Sequence, residues 1–214
     1  MEATFQQIRE EYKQATLQLT DVDPDPIVQF GRWFDQAVAS GLREPNAMTL
    51  ATCSSDGEPT ARIVLLKGFA DSGFVFFTNY HSAKGQQLKE NPKAALVFFW
   101  NELERQVRVL GKVKKVPREE SEKYFATRPL LSQIGASVSP QSQVIPTREW
   151  LEQRFEQAKA EFTEQKPPVC PEIWGGYLVE PHSIEFWQGR RSRLHDRLQY
   201  TKENGAWRIE RLAP

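Results

Sequence analysis

Residues 47–79 read AMTLATCSSDGEPTARIVLLKGFADSGFVFFTN. Three runs within this stretch are rich in β-branched and aromatic residues: MTLATC, PTARIVLLK and FVFFTN. The segments Ser54–Gly57 and Asp71–Gly73 separate the runs, and both carry the Ser, Asp and Gly residues that favour tight turns. The stretch therefore predicts three consecutive strands joined by short turns, which is the pattern of an antiparallel sheet.

Further strands are predicted along the rest of the chain. Val107, Val109 and Val113 alternate with charged residues, which predicts a strand with one face in water. Glu203-Asn204-Gly205 is a hairpin signal between the last two strands. Because tight turns connect most strands, we predict a mainly β, α+β fold: a closed or nearly closed antiparallel barrel with flanking helices. The later strands are AALVFFW, QVRVLGKVKKV, WGGYLV, SIEFWQ, LHDRLQY and AWRIERL.

Helices are predicted between and around the strands. Asp25 is the expected N-cap of a helix that starts at Pro26 and ends at Ser40-Gly41. Residues 128–146 are predicted to form an irregular loop. The other predicted helices are an N-terminal one with Phe5, Ile8, Tyr12 and Ala15 at helical spacing, one at 82–90, one at 117–127 and one capped by Thr147.

Composition restricts the possible partners. The 214 residues include 28 Lys and Arg against 28 Asp and Glu, so the net charge is 0. A neutral total argues against nucleic acid and membrane surfaces as partners, because binding to either draws on excess positive charge. No apolar run approaches the ~18 residues of a membrane-spanning helix. Cys53 and Cys170 match neither a disulfide framework nor a metal site. We predict a cytoplasmic protein with a helical segment at 1–22 and one domain at 23–214.

Positive charge is nevertheless concentrated in places, which suits a small phosphorylated ligand. Arg62 and Lys67 bracket the apolar run 63–66, where they either reach solvent or meet a phosphate at the strand ends. Lys84 lies in the first turn of a short helix, close in sequence to Thr78 and Ser82. The helix dipole disfavours a cation there unless an anion accompanies it, so a bound phosphate and a solvated lysine both remain open.

Two more groups of polar residues are candidates. Tyr124, Arg128 and Ser132 are spaced by four, and the first two are predicted to share a helix face, although ordinary surface residues show the same spacing. The segment EFWQGRRSRLHDR, residues 185–197, is the most unusual. Arg193 and His195 are two apart, so on a strand they project from one side; a solvated basic hairpin is the alternative. The motifs GxGxxG, GxxxxGK[ST], HExxH and GxSxG do not occur.

Over residues 9–214 the sequence resembles the pyridoxine/pyridoxamine 5′-phosphate oxidase family, whose members use FMN. Each matching block is weakly informative, but eight in register along one chain are highly specific. The resemblance implies a Greek-key split β-barrel and a homodimer with FMN at the subunit interface. The blocks are RIVLLK (62–67), FFTN with SAKG (76–85), ERQVRVLG (104–111), KYFATRP (123–129), SQIGA (132–136), FWQG (186–189), RLHDR (193–197) and RLAP (211–214).

The resemblance also implies which positions would bind the flavin. The phosphate and ribityl end of FMN would be surrounded by Arg62, Thr78, Lys84 and Ser142. The residues expected along the flavin or completing its pocket are Ile63, Val64, Leu65, Leu66, Lys67, Phe77, Gln106, Gln141, Trp187 and Arg197.

A second set of positions would bind the substrate. The phosphate of the vitamer would be held by Lys67, Tyr124, Arg128 and Ser132. Arg193 and His195 would lie over the pyridine ring as the catalytic residues. Arg9 and Tyr12, in the N-terminal segment, match residues that close over the substrate as a lid. No metal is implied.

The activity implied by the resemblance is oxidation of pyridoxamine and pyridoxine 5′-phosphates to pyridoxal 5′-phosphate in vitamin B6 biosynthesis or salvage. O2 would be the acceptor, H2O2 a product, and ammonia a product of the amine. Two alternatives stay open: a related split-barrel flavin oxidase acting on another ring, such as those of phenazine biosynthesis, and a non-catalytic protein that binds FMN or pyridoxal phosphate.

Three positions depart from the family pattern. Ala83 stands where many relatives have arginine, Glu10 where some have a second arginine, and Phe77 where some have tyrosine. Because a hydrogen bond to a charged group contributes roughly 1.5–3 kcal/mol, the arginine missing at position 83 is expected to weaken FMN binding without abolishing it.

Overall fold

The structure is a computed structural model that describes Tyr12 and residues 14–214. The N-terminal part of the first predicted helix, with Arg9 and Glu10, lies outside the described residues. At its described positions, Tyr12 and Ala15, the helix prediction is wrong. The reason is that nearby backbone amides bond to distant carboxylates: Gln14 donates to Glu104 at 3.0 Å and Leu17 to Asp196 at 3.1 Å.

Nine strands and five α-helices occur in the described part of the chain. The strands are β1 (Ala47–Cys53), β2 (Pro59–Leu65), β3 (Gly68–Ala70), β4 (Gly73–Asn79), β5 (Lys93–Trp100), β6 (Arg105–Lys115), β7 (Trp174–Gln188), β8 (Asp196–Glu203) and β9 (Ala206–Arg211). The helices are α1 (Pro26–Ala39), α2 (Ala83–Glu90), α3 (Arg118–Ala126), α4 (Leu130–Val138) and α5 (Arg148–Glu161).

The strands belong to one sheet, in the order β2-β1-β5-β6-β7-β4-β3, with β8 paired to β7 and β9 to β8. The pairings β3–β4, β4–β7, β7–β8 and β8–β9 are antiparallel, as predicted. Asn204 and Gly205 join β8 to β9 with φ angles of 50° and 87°. Positive φ at both central residues is what a type I′ turn requires, so the hairpin prediction is confirmed.

The chain divides into two compact units. The first unit contains the described residues up to Leu50, together with Ala95–Gly111 and Pro181–Pro214. In this unit the Asp25 carboxylate caps α1 by accepting from the Ile27 amide at 2.7 Å, which confirms the predicted cap. Aromatic rings form its core: Phe30 lies 5.0 Å from Phe98, and Trp33 lies 5.2 Å from Phe186, measured between ring centroids.

The second unit contains Ala51–Ala94 and Lys112–Glu180. The Ser82 hydroxyl caps α2 by accepting from the Gly85 amide, and the Thr147 hydroxyl caps α5 by accepting from the Trp150 amide. The cap predicted at Thr147 is therefore confirmed. Phe125, Cys170 and Trp174 form a buried cluster, with Phe77 and Tyr124 packed against it.

Two predictions of secondary structure are wrong in this region. Residues 130–138, within the predicted irregular loop, form α4, which buries Gln133 and Ile134. The Ser and Gly residues of this segment indicated a loop, but packing of its buried face stabilises a helix. The two strands predicted for WGGYLV and SIEFWQ belong to the single strand β7. Its pairing with β4 ends at Val179 and its pairing with β8 starts at Ser183, on either side of Pro181, which has no amide to donate.

Gly85 allows the start of α2 to approach the end of β4. A Cβ atom at this position would lie 2.3 Å from the carbonyl oxygen of Tyr80. We expect Gly85→Ala to lower the free energy of unfolding by about 1–3 kcal/mol, because overpacking outweighs the better helix propensity of alanine. Gly68→Ala is the control, since its Cβ would meet nothing within 4 Å. Urea denaturation of both variants measures the difference, and equal stability would contradict the prediction.

Candidate active site

A cavity of about 800 Å³ lies in the second unit. Strand β2, the end of β4, the first turn of α2, and α3 and α4 with the residues around them all contribute side chains. Of the residues that the resemblance assigned, those that line the cavity are Arg62, Ile63, Val64, Leu65, Lys67, Phe77, Thr78, Lys84, Tyr124, Arg128, Ser132 and Gln141. Leu66 is buried, Ser142 is exposed, and neither belongs to the described lining.

One side of the cavity carries a first pair of cations, Arg62 and Lys84. The Lys84 ammonium donates to Thr78 Oγ1 at 3.2 Å, Ser82 Oγ at 3.3 Å and Gln141 Oε1 at 3.1 Å. Burial lowers the pKa of Lys84, and the Arg62 charge lowers it further. Burial also lowers the pKa of Arg62. Two half-buried cations that repel each other are stabilised by an anion between or beside them.

A second cationic group is built around Arg128. Its Nη1 atom is buried and has no hydrogen-bond partner among the described residues. The guanidinium lies 4.8 Å from the Trp174 ring centroid, and burial lowers the pKa of Arg128. A buried donor without an acceptor is costly, which is the arrangement expected where a ligand supplies the acceptor.

An aromatic stack lies next to this group. The Phe77 ring centroid is 4.1 Å from that of Tyr124 and 5.4 Å from that of Trp174, with nearly parallel planes. Tyr124 lies on α3, but Arg128 follows the end of that helix and Ser132 lies in α4. The prediction that Tyr124 and Arg128 share a helix face is therefore wrong, because α3 ends at Ala126, before Pro129. The cavity lining nevertheless includes all three residues.

The first unit contains the other predicted site residues. Trp187 and His195 have ring centroids 4.5 Å apart, and the Tyr12 ring lies 5.8 Å from each. Trp187 pairs with Arg197 across β7 and β8, and Gln106 lies near the start of β6. The structure thus brings Tyr12, Trp187 and His195 together.

The segment before β8 has a different shape from the predicted strand. Residues Arg191–Arg193 form a 3-10 turn, β8 begins only at Asp196, and Ser192 and Arg193 have φ angles of 58° and 62°. The inference that Arg193 and His195 project from one side of a strand is wrong for this reason. Left-handed backbone at two consecutive non-glycine residues costs energy, and such strain is concentrated at functional sites.

The protonation of His195 follows from one hydrogen bond. The backbone amide of Arg190 donates to His195 Nδ1 at 3.1 Å, so Nδ1 is an acceptor and a neutral ring carries its proton on Nε2. Burial, and then the charge of Arg193, lower the pKa of His195. Both effects favour the neutral imidazole, which presents Nε2–H as a donor.

Sequence reasoning missed Glu185, which holds Arg197 in the first unit. Its side chain is 3% exposed, and it accepts from Arg197 Nε at 2.8 Å and Nη2 at 3.2 Å. Arg108 Nη2 donates to the same carboxylate. Arg197 Nη1 also donates to the Ala213 carbonyl at 2.7 Å. The available signal was a glutamate in the middle of the otherwise apolar run SIEFW.

The described part of the chain contains neither a metal-binding cluster nor a membrane-spanning helix. Tyr12 and residues 14–214 contain no group of three or more His, Cys, Asp or Glu placed to hold a metal ion. No helix in these same residues has both the length and the apolar character needed to cross a membrane.

The fold and the cavity define an α+β split-barrel protein with a site for an anionic ligand. PhzG from Burkholderia lata, solved in complex with tetrahydrophenazine-1-carboxylic acid, matches with a TM-score of 0.90 and 29% identity, covering 96% of this chain and 100% of that chain. A pyridoxamine 5′-phosphate oxidase-related, FMN binding protein from Nostoc punctiforme matches with a TM-score of 0.70 and 18% identity, covering 86% and 96%. The predicted fold class is confirmed.

Sequence comparison is more specific. The family model described as pyridoxamine 5′-phosphate oxidase matches residues 34–162, and the model of the pyridoxine 5′-phosphate oxidase C-terminal dimerisation region matches residues 174–214. Proteins named pyridoxine/pyridoxamine 5′-phosphate oxidase are 55% identical in Nostoc sp., over 100% of both chains, and 56% identical in Cupriavidus necator, over 97% of both. The chain belongs to the pyridoxine/pyridoxamine 5′-phosphate oxidase family, and the prediction of an enzyme of this family is confirmed.

Proposed function

We propose that this protein oxidises pyridoxamine 5′-phosphate and pyridoxine 5′-phosphate to pyridoxal 5′-phosphate in vitamin B6 biosynthesis or salvage. FMN is the cofactor. The amine, O2 and water give the aldehyde, ammonia and H2O2, whereas the alcohol and O2 give the aldehyde and H2O2. The observation that carries the proposal is that Arg128, whose buried Nη1 lacks a partner among the described residues, lines a cavity that also contains a separate cation pair.

The residues of the cavity fit FMN. Arg62 and Lys84 have a lowered pKa and supply the charge that a flavin phosphate would neutralise. Thr78 and Gln141 are hydrogen-bonded to Lys84 and hold its ammonium in place. Ile63, Val64 and Leu65 provide an aliphatic wall. When bound, FMN supplies the two-electron redox chemistry and passes the electrons to O2.

The second cationic group holds the substrate. Arg128 offers its fork to the phosphate of the vitamer, Lys67 adds a point charge, and Tyr124 and Ser132 add hydroxyl donors. Two ligands with one phosphate each explain why a neutral protein has two separate cationic groups in one cavity. This arrangement also disfavours an unphosphorylated ring substrate like the ligand of the PhzG structure.

Arg193 and His195 orient the reacting end of the substrate. His195 holds its proton on Nε2 and donates from there. In the proposed site Arg193 lies over the pyridine ring together with His195. Trp187, Arg197, Gln106 and Ser142 complete the flavin pocket, and Tyr12 closes over the substrate together with Arg9, which lies outside the described residues. We propose a homodimer with FMN at the subunit interface, supported by the match to the dimerisation region. A cytoplasmic location and a single domain at 23–214, with a lid at 1–22, stay predictions.

The proposal is tested by anaerobic mixing of the FMN-loaded protein with pyridoxamine 5′-phosphate while flavin absorbance is followed. We expect bleaching, and recovery of the yellow colour with formation of pyridoxal 5′-phosphate when O2 is admitted. If the flavin stays oxidised at saturating substrate, the proposed reaction is wrong. Bleaching by an unphosphorylated ring with no competition from vitamer phosphates would instead favour the related split-barrel oxidase.

The catalytic assignment makes a separate prediction. We expect Arg193→Ala and His195→Ala each to lower turnover about 100-fold or more, because misplacing a reacting carbon costs that much. FMN content, read from flavin absorbance, is expected to stay unchanged. Arg208→Ala is the matched control, since Arg208 is exposed and pairs with Glu203 and Glu210. Unchanged turnover with FMN bound would show that the assignment is wrong.

A further inference from the structure

Arg62 and three side chains behind it form a branched hydrogen-bond network, which we name the Gln87 relay: Gln87, Thr52, Thr60 and Arg62. Arg62 Nη1 lies 2.6 Å from Thr52 Oγ1, and Nη2 lies 2.5 Å from Thr60 Oγ1. Both hydroxyl oxygens then approach Gln87 Oε1, at 2.5 Å from Thr52 and 2.7 Å from Thr60. The relay thus connects α2 with the fork of Arg62 through β1 and β2.

Chemistry determines the direction of the bonds between Arg62 and the two threonines. A guanidinium only donates, so both threonine oxygens must accept from Arg62. Each hydroxyl has one proton, and that proton is then directed to Gln87. In the structure Gln87 presents its carbonyl oxygen to the threonines, so each hydroxyl proton has an acceptor there. A glutamine side chain is well suited to this position because one oxygen accepts two bonds.

The relay holds Arg62 in place against electrostatic repulsion from Lys84. Arg62 and Lys84 are close enough for the Arg62 charge to lower the pKa of Lys84, so the two cations repel each other. An arginine side chain also has rotamer entropy that binding a ligand would otherwise remove. Two acceptors on one edge of the fork hold it in place before any ligand arrives, and Thr52 is only 3% exposed, which shields one of them from water.

We propose that Gln87, acting through Thr52 and Thr60, is a positioning residue that holds Arg62 for the 5′-phosphate of the flavin. It thereby sets the preference of the site for FMN over riboflavin. This inference rests on the proposed function, because it takes Arg62 as a ligand of the flavin phosphate. Gln87 itself touches Thr52 and Thr60, and its effect on the flavin is transmitted through them.

The test compares the affinity of the apo-protein for FMN and for riboflavin, measured by quenching of flavin fluorescence. Gln87→Met removes the acceptor oxygen and keeps a side chain of similar length. We expect it to weaken FMN binding roughly tenfold, the equivalent of about 1.4 kcal/mol, and to change riboflavin binding less than about twofold. Gln86→Met, at the exposed neighbouring position on α2, is the matched control and is expected to change neither affinity.

Further variants distinguish a positioning role of Gln87 from a role in stabilising the fold. Thr60→Val is expected to weaken FMN binding as Gln87→Met does, whereas Thr60→Ser, which keeps the hydroxyl, is expected to restore it. In an Arg62→Ala background, Gln87→Met is expected to have no additional effect on FMN affinity. Thermal unfolding of each variant verifies that it is folded.

The outcomes distinguish the relay from the proposed function. Equal weakening of FMN and riboflavin binding, or no weakening of either, would overturn the relay. If Arg62→Ala weakens FMN selectively and Gln87→Met does not, the relay is wrong while the flavin site stands. If the wild-type apo-protein binds neither flavin, the proposed function itself fails, and the inference fails with it.

Discussion

Replacing Arg128 with alanine is expected to raise the KM for pyridoxamine 5′-phosphate by about 100- to 1,000-fold. A charged hydrogen bond contributes about 1.5–3 kcal/mol, and a guanidinium fork makes two of them to a phosphate. Arg128 lines the cavity, and its Nη1 has no partner within the described chain that could compensate for the lost phosphate. Steady-state kinetics with varied substrate measures the effect.

The same substitution is expected to leave the ligand-free protein nearly as stable as the wild type. Removing an unpaired buried donor relieves its desolvation, and this gain offsets the lost contact of Arg128 with Trp174, which is worth about 0.5–2 kcal/mol. The substitution is therefore expected to weaken substrate binding while leaving the stability of the protein nearly unchanged. Arg148→Ala, which breaks an exposed pair with Glu152 on α5, is the control for both measurements. An unchanged KM, or a parallel loss of FMN affinity, would contradict the assignment of Arg128.

The second large effect is expected at Glu185. Glu185→Ala should lower the free energy of unfolding by about 3 kcal/mol, because it leaves the charges of Arg108 and Arg197 without their shared partner. The value is at the low end for a buried pair, since 46% of the Arg108 side chain and 22% of the Arg197 side chain are exposed. Thermal unfolding is expected to show a lower Tm, by about 2–4 °C for each kcal/mol.

A matched control lies on the same strand. Glu180 pairs with Lys114 at 2.6 Å, and the two side chains are 45% and 57% exposed. Glu180→Ala is therefore expected to change stability by less than about 1 kcal/mol. Because Glu185 holds Arg197, which we propose as part of the flavin pocket, Glu185→Ala is expected to weaken FMN binding in addition. If both glutamate variants unfold at the same temperature, the buried ion pairs do not have the role that the geometry indicates.

The elements that sequence reasoning predicted well are those specified by neighbouring residues. Asp25 and Thr147 cap their helices because a short polar side chain before a helix accepts from its first amides. Asn204-Gly205 makes the last hairpin for an equally local reason. Segment 130–138 was missed because its Ser and Gly residues mask a helix whose buried face depends on packing.

The candidate site was predicted only in part, and that prediction came from the family resemblance and not from local residue patterns. Arg62, Lys84, Tyr124 and Arg128 come from separate segments, and only the family blocks suggested that they act together. The structure places all four in one cavity of the second unit. Gln87 was missed because nothing around it in the sequence marks it as more than an exposed helix residue.

By itself the sequence determined the strand-rich architecture, the turns, the helix caps and the family, because these depend on residue order and short-range backbone chemistry. Only the tertiary structure decided which charges are paired. Glu185 meets Arg108 and Arg197 through strand register, Gln87 meets two threonines from β1 and β2, and Arg128 Nη1 meets no acceptor in the described chain. Such hydrogen bonds and ion pairs form where the tertiary fold brings side chains within about 3 Å of one another. Because these side chains are far apart in the chain, local sequence patterns do not predict the contacts.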